Sequence, residues 1–174
     1  RAPSRRGVGL RPDFHNLRLR NVSVLVETAA TATAPARRVE LTRVDMTLPE
    51  LRPGAAAVLQ IDAQLGKTTV QALHLESGRL AGQATVGLRT DLMPDRIEAD
   101  FRLEALTGTA GPVGLHGRAI TFTAKVFPDK TGWQIEEARL AVTANGAPEA
   151  VLAVTGGVTA VPLTADCRVT LDSL

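Results

Sequence analysis

The segment Gly66-Lys67-Thr68-Thr69 has the residue types that end a phosphate-binding loop. In such a loop, backbone N–H groups cradle the phosphates and the lysine reaches them from the start of a helix. The complete motif needs a glycine five residues before Gly66, and Ile61 occupies that position. Runs of strand length lie on both sides, so no helix follows. We therefore predict a hairpin turn here.

The three histidines, His15, His74 and His116, could serve catalysis or metal binding. They are scattered, and none has a second histidine at metal-ligand spacing on the same strand face. The glycine-rich residues 111–117 lack dinucleotide spacing and are predicted to form a turn that opens a strand. No Gly-x-Ser-x-Gly nucleophile elbow occurs. The sequence leaves the question of a catalytic triad open, because the members of a triad can be far apart in sequence and adjacent in the fold.

Glu136 and Glu137 are the only adjacent carboxylates. Neighbours on a strand point to opposite faces, so this pair is poorly placed for acid–base catalysis and is predicted to mark a β-bulge. Cys167 is the only cysteine, which excludes an intramolecular disulfide. Because it falls within a regular strand, we predict a small buried apolar residue there. We expect that the protein is not an enzyme and that it has no catalytic residue, no metal site and no cofactor.

The composition limits the possible partners. One Trp, no Tyr and four Phe leave little aromatic surface for stacking on bases or sugars. The net charge is +2, and no basic patch recurs after the first twenty residues, so nucleic acid is not expected as a partner. We predict a basic, flexible N-terminal arm at residues 1–14 and a single β domain at 15–174 that is a segment of a longer protein.

Apolar and polar residues alternate through most of the chain, most clearly in residues 97–105 and 163–171. On a strand, this alternation gives one apolar face and one polar face. Turn residues separate runs of strand length, and Ser77-Gly78, Gly108 and Gly156-Gly157 are among the predicted turns. The ten candidate strands are residues 17–27, 38–48, 57–65, 69–76, 79–90, 96–105, 115–127, 132–144, 150–155 and 161–172.

The predicted fold class is all-β, with about ten mostly antiparallel strands in a strongly twisted, curled sheet and little or no helix. Only residues 71–81 offer a helical alternative, and Leu75 and Gly78 interrupt it. Without a helix layer, the apolar face needs the sheet itself, a partner or a ligand as its cover. Two arrangements stay open: an open groove, or a closed sandwich or barrel.

Three segments, residues 17–24, 39–46 and 133–142, share one form in which an extra polar residue joins two alternating halves. The insertion would move all following side chains to the wrong face unless a bulge absorbs it. We therefore predict long, bulged strands that bend the sheet.

A fixed order of such segments carries a resemblance to a known family. Residues 16–24 and 38–48 come first, a Leu51-Arg-Pro-Gly54 turn and residues 59–65 follow, and residues 75–82 and 117–124 complete the series. This order resembles the periplasmic region of AsmA-like proteins of Gram-negative bacteria, relatives of the TamB group, over most of residues 15–172. The resemblance implies an elongated, curled sheet with an apolar inner groove. It also implies a periplasmic location, tethered to the inner membrane, and a role in outer-membrane biogenesis and lipid transport.

The expected function is therefore a groove segment that binds or conducts the acyl chains of a phospholipid or another lipid. Expected protein partners are neighbouring repeats of the same chain or other proteins of the cell envelope. The alternative is a non-catalytic structural or interaction module, a β-sandwich segment that pairs edge to edge with its neighbours. The inward apolar positions are the candidate groove residues: Val44, Met46, Leu48, Leu59, Ile61, Leu65, Val86, Leu88, Ile97, Phe101, Leu103, Phe122, Val126, Leu140, Val142, Val169 and Leu171.

Overall fold

The computed structural model of the protein describes residues 14–31, 35–91, 93–130, 132–159 and 164–173. Strands make up 83% of these residues, and no helix occurs among them. The predicted arm lies outside the described residues except for Phe14, which begins the first strand. The strands are β1 (Phe14–Thr28), β2 (Arg37–Leu51), β3 (Ala56–Leu65), β4 (Thr68–Val70), β5 (Leu73–Leu88), β6 (Pro94–Ala110), β7 (Val113–Gly114), β8 (Arg118–Pro128), β9 (Gly132–Ala144), β10 (Ala147–Thr159) and β11 (Thr164–Ser173).

All eleven strands belong to one antiparallel sheet. Its order is β1-β2-β3-β5-β6-β8-β9-β10-β11, with β4 paired to β2 and β5 and β7 paired to β6. The all-β antiparallel prediction is confirmed. The order ends at β1 on one side and β11 on the other, so the described residues form one sheet that does not close into a barrel.

Short turns explain the meander. Asn145 and Gly146 join β9 to β10, with Ala144 paired directly to Ala147. Both turn residues have positive φ, 51° and 84°, which is the requirement of the hairpin turn that matches strand twist. Asn-Gly meets this requirement at low cost, so the local sequence sets the register of the pair.

The three predicted bulges are present. In β1 and β2, Asn21 and Arg43 have φ of 52° and 50°, and the register of both strands shifts around them. The backbone N–H of Asn21 donates to Asp45 Oδ1 at 2.9 Å. In β9 the register shifts at Glu136 against both neighbouring strands. A fourth bulge, at Ala105 with φ of 51°, was not predicted.

Two turns predicted between residues 66 and 81 are wrong. The first, Ser77-Gly78, is not a turn, because both residues lie inside β5, and the helical alternative to the predicted strands does not form. Register shifts on both sides of Ser77 absorb the break in alternation, and its hydroxyl lies 2.8 Å from that of Thr107. Gly78 is buried against Leu106: a Cβ there would lie 2.8 Å from Leu106 Cδ2. The glycine therefore serves close packing rather than chain reversal.

The second wrong prediction is the hairpin turn at Gly66-Lys67, and the reason is different. Both β3 and β4 lie between β2 and β5, so they occupy one strand position of the sheet, and Gly66 and Lys67 interrupt it without reversing the chain. The Gly66 N–H donates to the Glu40 carbonyl at 2.8 Å, so the chain stays hydrogen-bonded to β2 at the interruption. The hairpin is at Gln71 and Ala72, between β4 and β5.

Two further predicted turns, Gly108 and Gly156-Gly157, lie inside β6 and β10. At Gly108 and Gly156, φ is 129° and 139°, and a Cβ would lie 2.1 Å and 2.2 Å from a carbonyl oxygen of the neighbouring strand. These glycines allow the backbones of two strands to approach closely. The positive φ that would serve a turn is used here inside a strand.

The largest buried apolar side chains lie at one end of the sheet. Leu75, Leu106 and Leu115 form the buried cluster, and Leu106 is 2% exposed. Leu115 follows β7, and its N–H donates to the Gly108 carbonyl at 2.9 Å. Partly buried apolar residues surround the cluster: Leu65, Leu73, Leu103, Ala110 and Ile120. Elsewhere on the sheet, apolar side chains are mainly half-buried.

Candidate functional site: the open apolar face

Cross-strand register assigns side chains to faces, because directly opposite residues point to the same side of a sheet. One row crosses the sheet from β2 to β11 and is apolar at every position except Gly82. Its members are Met46, Ile61, Gly82, Phe101, Phe122, Leu140, Leu152 and Leu171. Leu19 of β1, which pairs with Met46, extends the row to the other edge. This row defines what we call the apolar face.

Parallel rows continue the same face. One contains Leu59, Ala84, Ala99, Ala124, Ala138, Val154 and Val169, and the next contains Ala57, Val86, Ile97, Val126, Ile135, Gly156 and Cys167. All seventeen predicted groove residues lie in these three rows or at even spacing from a member along the same strand. The structure therefore brings all of them to one face.

Sequence reasoning omitted several residues of this face. Leu80 and Ile120 lie in the row of Leu103, and Leu152 lies between Leu140 and Leu171. For Leu80 and Ile120 the signal was present, since each alternates with polar or small neighbours in its own strand. The alternation was weaker in β10, where Val151 precedes Leu152 and Ala153 follows it.

The apolar face is partly open to solvent: most of its side chains are half-buried, and Val44, Ala57 and Ala124 are buried. Phe122 and Leu140, in the middle of the sheet, are each 38% exposed, and at the β11 edge Val169 and Leu171 are 60% and 69% exposed. Lateral neighbours cover the flanks of these side chains but not their ends. Cys167 is half-buried rather than buried as predicted, because the edge strand β11 has a neighbour on one side only.

A furrow runs across the apolar face. Four alanines, Ala84, Ala99, Ala124 and Ala138, occupy consecutive strands of one row. The row on one side contains phenylalanine and leucine and, in β5, Gly82, and the row on the other side contains valine and isoleucine. The furrow is therefore perpendicular to the strands, with a floor of methyl groups and apolar walls.

Gly82 and Phe101 shape one wall of the furrow. A Cβ at Gly82 would lie 2.2 Å from the Asp100 carbonyl oxygen and 2.7 Å from Phe101 Cα. The same position is 2.7 Å from Phe101 Cδ1, so the ring covers the glycine. An aromatic side chain placed opposite a strand glycine replaces packing that the glycine lacks. The close approach of β5 and β6 thus depends on this pair.

The opposite face is polar and carries a ladder of charged side chains. Arg79 Nε donates to Asp62 Oδ1 at 3.2 Å, and Arg102 Nε lies 3.0 Å from Glu104 Oε2. The hydrogen bonds from Arg79 lower the pKa of Asp62 and raise the pKa of the guanidinium. Since these groups are solvent-exposed, each pair contributes little to stability.

A depression on the polar face is lined by Asp45, Gln60, Asp62, Gln83 and Asp100, among others, and has a volume of about 520 Å³. It presents carboxylates and amides to solvent. No group of three or more His, Cys, Asp or Glu side chains suited to a metal ion occurs within the described ranges. This surface therefore has hydrogen-bonding capacity.

One ion pair is better shielded than the others. Arg118 Nε and Nη2 donate to Glu149 Oε2 and Oε1 at 2.7 Å and 2.6 Å, and Arg118 Nη1 donates to the Gly114 carbonyl. This two-bonded geometry lowers the pKa of Glu149 and raises the pKa of Arg118. The pair joins β7, β8 and β10 at one end of the sheet.

Comparisons with protein-family models, curated proteins and solved structures gave no match. The resemblance to AsmA-like proteins therefore stays a prediction. In the part of the chain that the structure describes, no helix has the length and apolar character needed to cross a membrane.

Proposed function

We propose that the apolar face binds or conducts lipid acyl chains, as a groove segment of a periplasmic protein that takes part in outer-membrane biogenesis. One observation carries the proposal: apolar side chains continue across nine strands, and many of them stay partly or largely exposed among the described residues. Nine strands in line span about 38 Å at roughly 4.8 Å per strand. Exposed apolar patches of this extent mark binding surfaces in proteins.

The expected binding is weak. An acyl chain laid on an open sheet buries only the side that it turns to the protein, so each methylene contributes roughly half of the ~0.8 kcal/mol of full burial. Ten methylenes then contribute roughly 4 kcal/mol, which corresponds to a dissociation constant of about 1 mM. A chain held this loosely slides rather than stays, and such a surface suits conduction better than storage.

The furrow gives a direction to this movement. Its alanine floor contains no polar side chain, and a chain lying along it crosses strands β5, β6, β8 and β9. Movement along the furrow exchanges one methyl contact for another of the same kind. The acyl chain would therefore travel across the strands, along the direction in which the sheet adds strands.

The chain contains its own reporter for a test. Trp133 is the only tryptophan, and it lies on the apolar face, two residues from Ile135. We expect vesicles of a phospholipid brominated along its acyl chains to quench Trp133 fluorescence, and the same lipid without bromine to leave it unchanged. Absence of quenching in the folded wild-type protein would overturn the proposal.

A matched pair of variants identifies the face that binds. Phe122→Glu places a charge on the apolar face, and Thr123→Glu places the same charge on the polar face one residue later. We expect quenching to disappear in the first variant and to persist in the second. Equal quenching in both would show that the lipid reaches Trp133 without using the apolar face.

The alternative function is an interaction module that pairs edge to edge with neighbouring β segments. The observation that favours it is that, among the described residues, the sheet order ends at two strands, β1 and β11, each with one neighbour. Concentration-dependent assembly of a folded protein whose Trp133 does not respond to brominated lipid would support this alternative over the first proposal.

A further inference from the structure

The two edges of the sheet differ in how well they are protected against pairing. In β1, Asn16 and Asn21 have positive φ, and the register against β2 shifts twice. Bulges of this kind twist an edge and prevent a further strand from pairing. The β1 edge is therefore protected by its own irregular backbone.

The β11 edge has none of these features. Its ten residues pair with β10 without any register shift, and none of them has positive φ. The strand contains no proline, glycine or lysine. A regular edge strand with exposed apolar side chains is a template for another strand.

The sequence of β11 is complementary to itself in the antiparallel sense. If two copies pair with Thr170 opposite Thr170, Arg168 lies opposite Asp172 on the polar side, and Val169 lies opposite Leu171 on the apolar side. The two-fold axis repeats each pair. Opposite charges and apolar pairs in these positions stabilise an antiparallel ladder. Leu171 and Val169 are among the most exposed large apolar side chains of the described residues.

We propose that two copies of this chain associate through antiparallel pairing of their β11 strands, centred on Thr170. A two-fold axis normal to the sheet keeps the apolar faces of both copies on the same side. The product is one continuous sheet in which the nine strands in line of each copy are joined at β11, with β1 at both ends. The proposal does not depend on lipid binding, and its tests need no lipid.

Charge exchange tests the pairing and its register together. Arg168→Asp places two carboxylates opposite each other, Asp172→Arg places two guanidinium groups opposite each other, and the double variant restores opposite charges. In sedimentation equilibrium we expect each single variant to weaken the dimer by about tenfold, and the double variant to return to the wild-type affinity. The two single variants, mixed, should form a heterodimer, because each supplies the charge that the other lacks.

Disulfide trapping gives an independent measure of register. In a Cys167→Ser background, Thr170→Cys places two cysteines opposite each other, and oxidation should give a covalent dimer. The matched control, Asp166→Cys in the same background, places its cysteines about 27 Å apart along the paired strands and should not cross-link.

The proposal fails if the wild-type protein is monomeric over the accessible concentration range. It also fails if the dimer is indifferent to the charge exchange, which would indicate association through the apolar faces. A covalent wild-type dimer through Cys167 would contradict it too, because that bond requires pairing centred on Cys167, with Arg168 opposite Asp166.

Discussion

Truncating two leucines tests whether the apolar face is open in solution. Leu106 lies in the buried cluster and is 2% exposed, whereas Leu140 lies on the apolar face and is 38% exposed. For Leu106→Ala we expect the full loss of transfer free energy plus a cavity term, about 3–4 kcal/mol. For Leu140→Ala, roughly 60% of a transfer term of ~2 kcal/mol is lost and no cavity forms, which gives about 1 kcal/mol.

Urea unfolding, followed by Trp133 fluorescence, measures both values. The slope of the unfolding free energy against urea should not change between variants, since the surface exposed on unfolding is nearly the same. The measurement is repeated at several protein concentrations, so that association is separated from folding. A cost for Leu140→Ala equal to that for Leu106→Ala would refute the reasoning, because it would mean that the face is covered in solution.

Three further predictions follow from particular contacts. Gly82→Ala should destabilise the protein by more than about 1 kcal/mol in the same unfolding assay, since its Cβ would collide with the backbone of β6; a neutral effect would contradict the close approach. Glu149 has a lowered pKa, so its pairing stabilises the fold above pH 4.5, its ordinary value, and this contribution is lost as pH falls further. Glu149→Gln should therefore reduce the acid dependence of stability, and an unchanged pH profile would argue against the pairing. Ala99→Leu should obstruct the furrow and reduce quenching by brominated lipid, while Ala81→Leu on the polar face should leave quenching unchanged; the reverse order would exclude the furrow as the path.

Strand faces were predictable because the side-chain period of a strand is two. Apolar positions in residues 97–105 identified Ile97, Phe101 and Leu103 as residues of one face, and cross-strand register places them there. The bulges at Asn21, Arg43 and Glu136 were predictable as well, since an extra polar residue breaks the alternation visibly. The bulge at Ala105 was not, because alanine is accepted on either face.

Glycine was the main source of error, since the same residue permits both a turn and a close approach of two strands. Gly146 has positive φ in a turn, whereas Gly108 and Gly156 have positive φ inside strands. What distinguishes them is the carbonyl oxygen of a neighbouring strand, which lies 2.1 Å and 2.2 Å from the position of a Cβ at the two strand glycines. That oxygen belongs to His74 for Gly108 and to Asp166 for Gly156, so the residues next to each glycine contain no information about it.

By itself, the sequence determined the strands, the two faces and most members of the apolar face, because alternation, turn residues and extra polar residues act locally. Only the tertiary structure decided that the strand order ends at β1 and β11 without closing, that Leu106 lies in the buried cluster, and that Leu140 stays partly exposed. The physical reason is that both leucines satisfy the same alternation. Their burial depends on what lies above each of them, and the hydrogen bonds between distant strands set that arrangement.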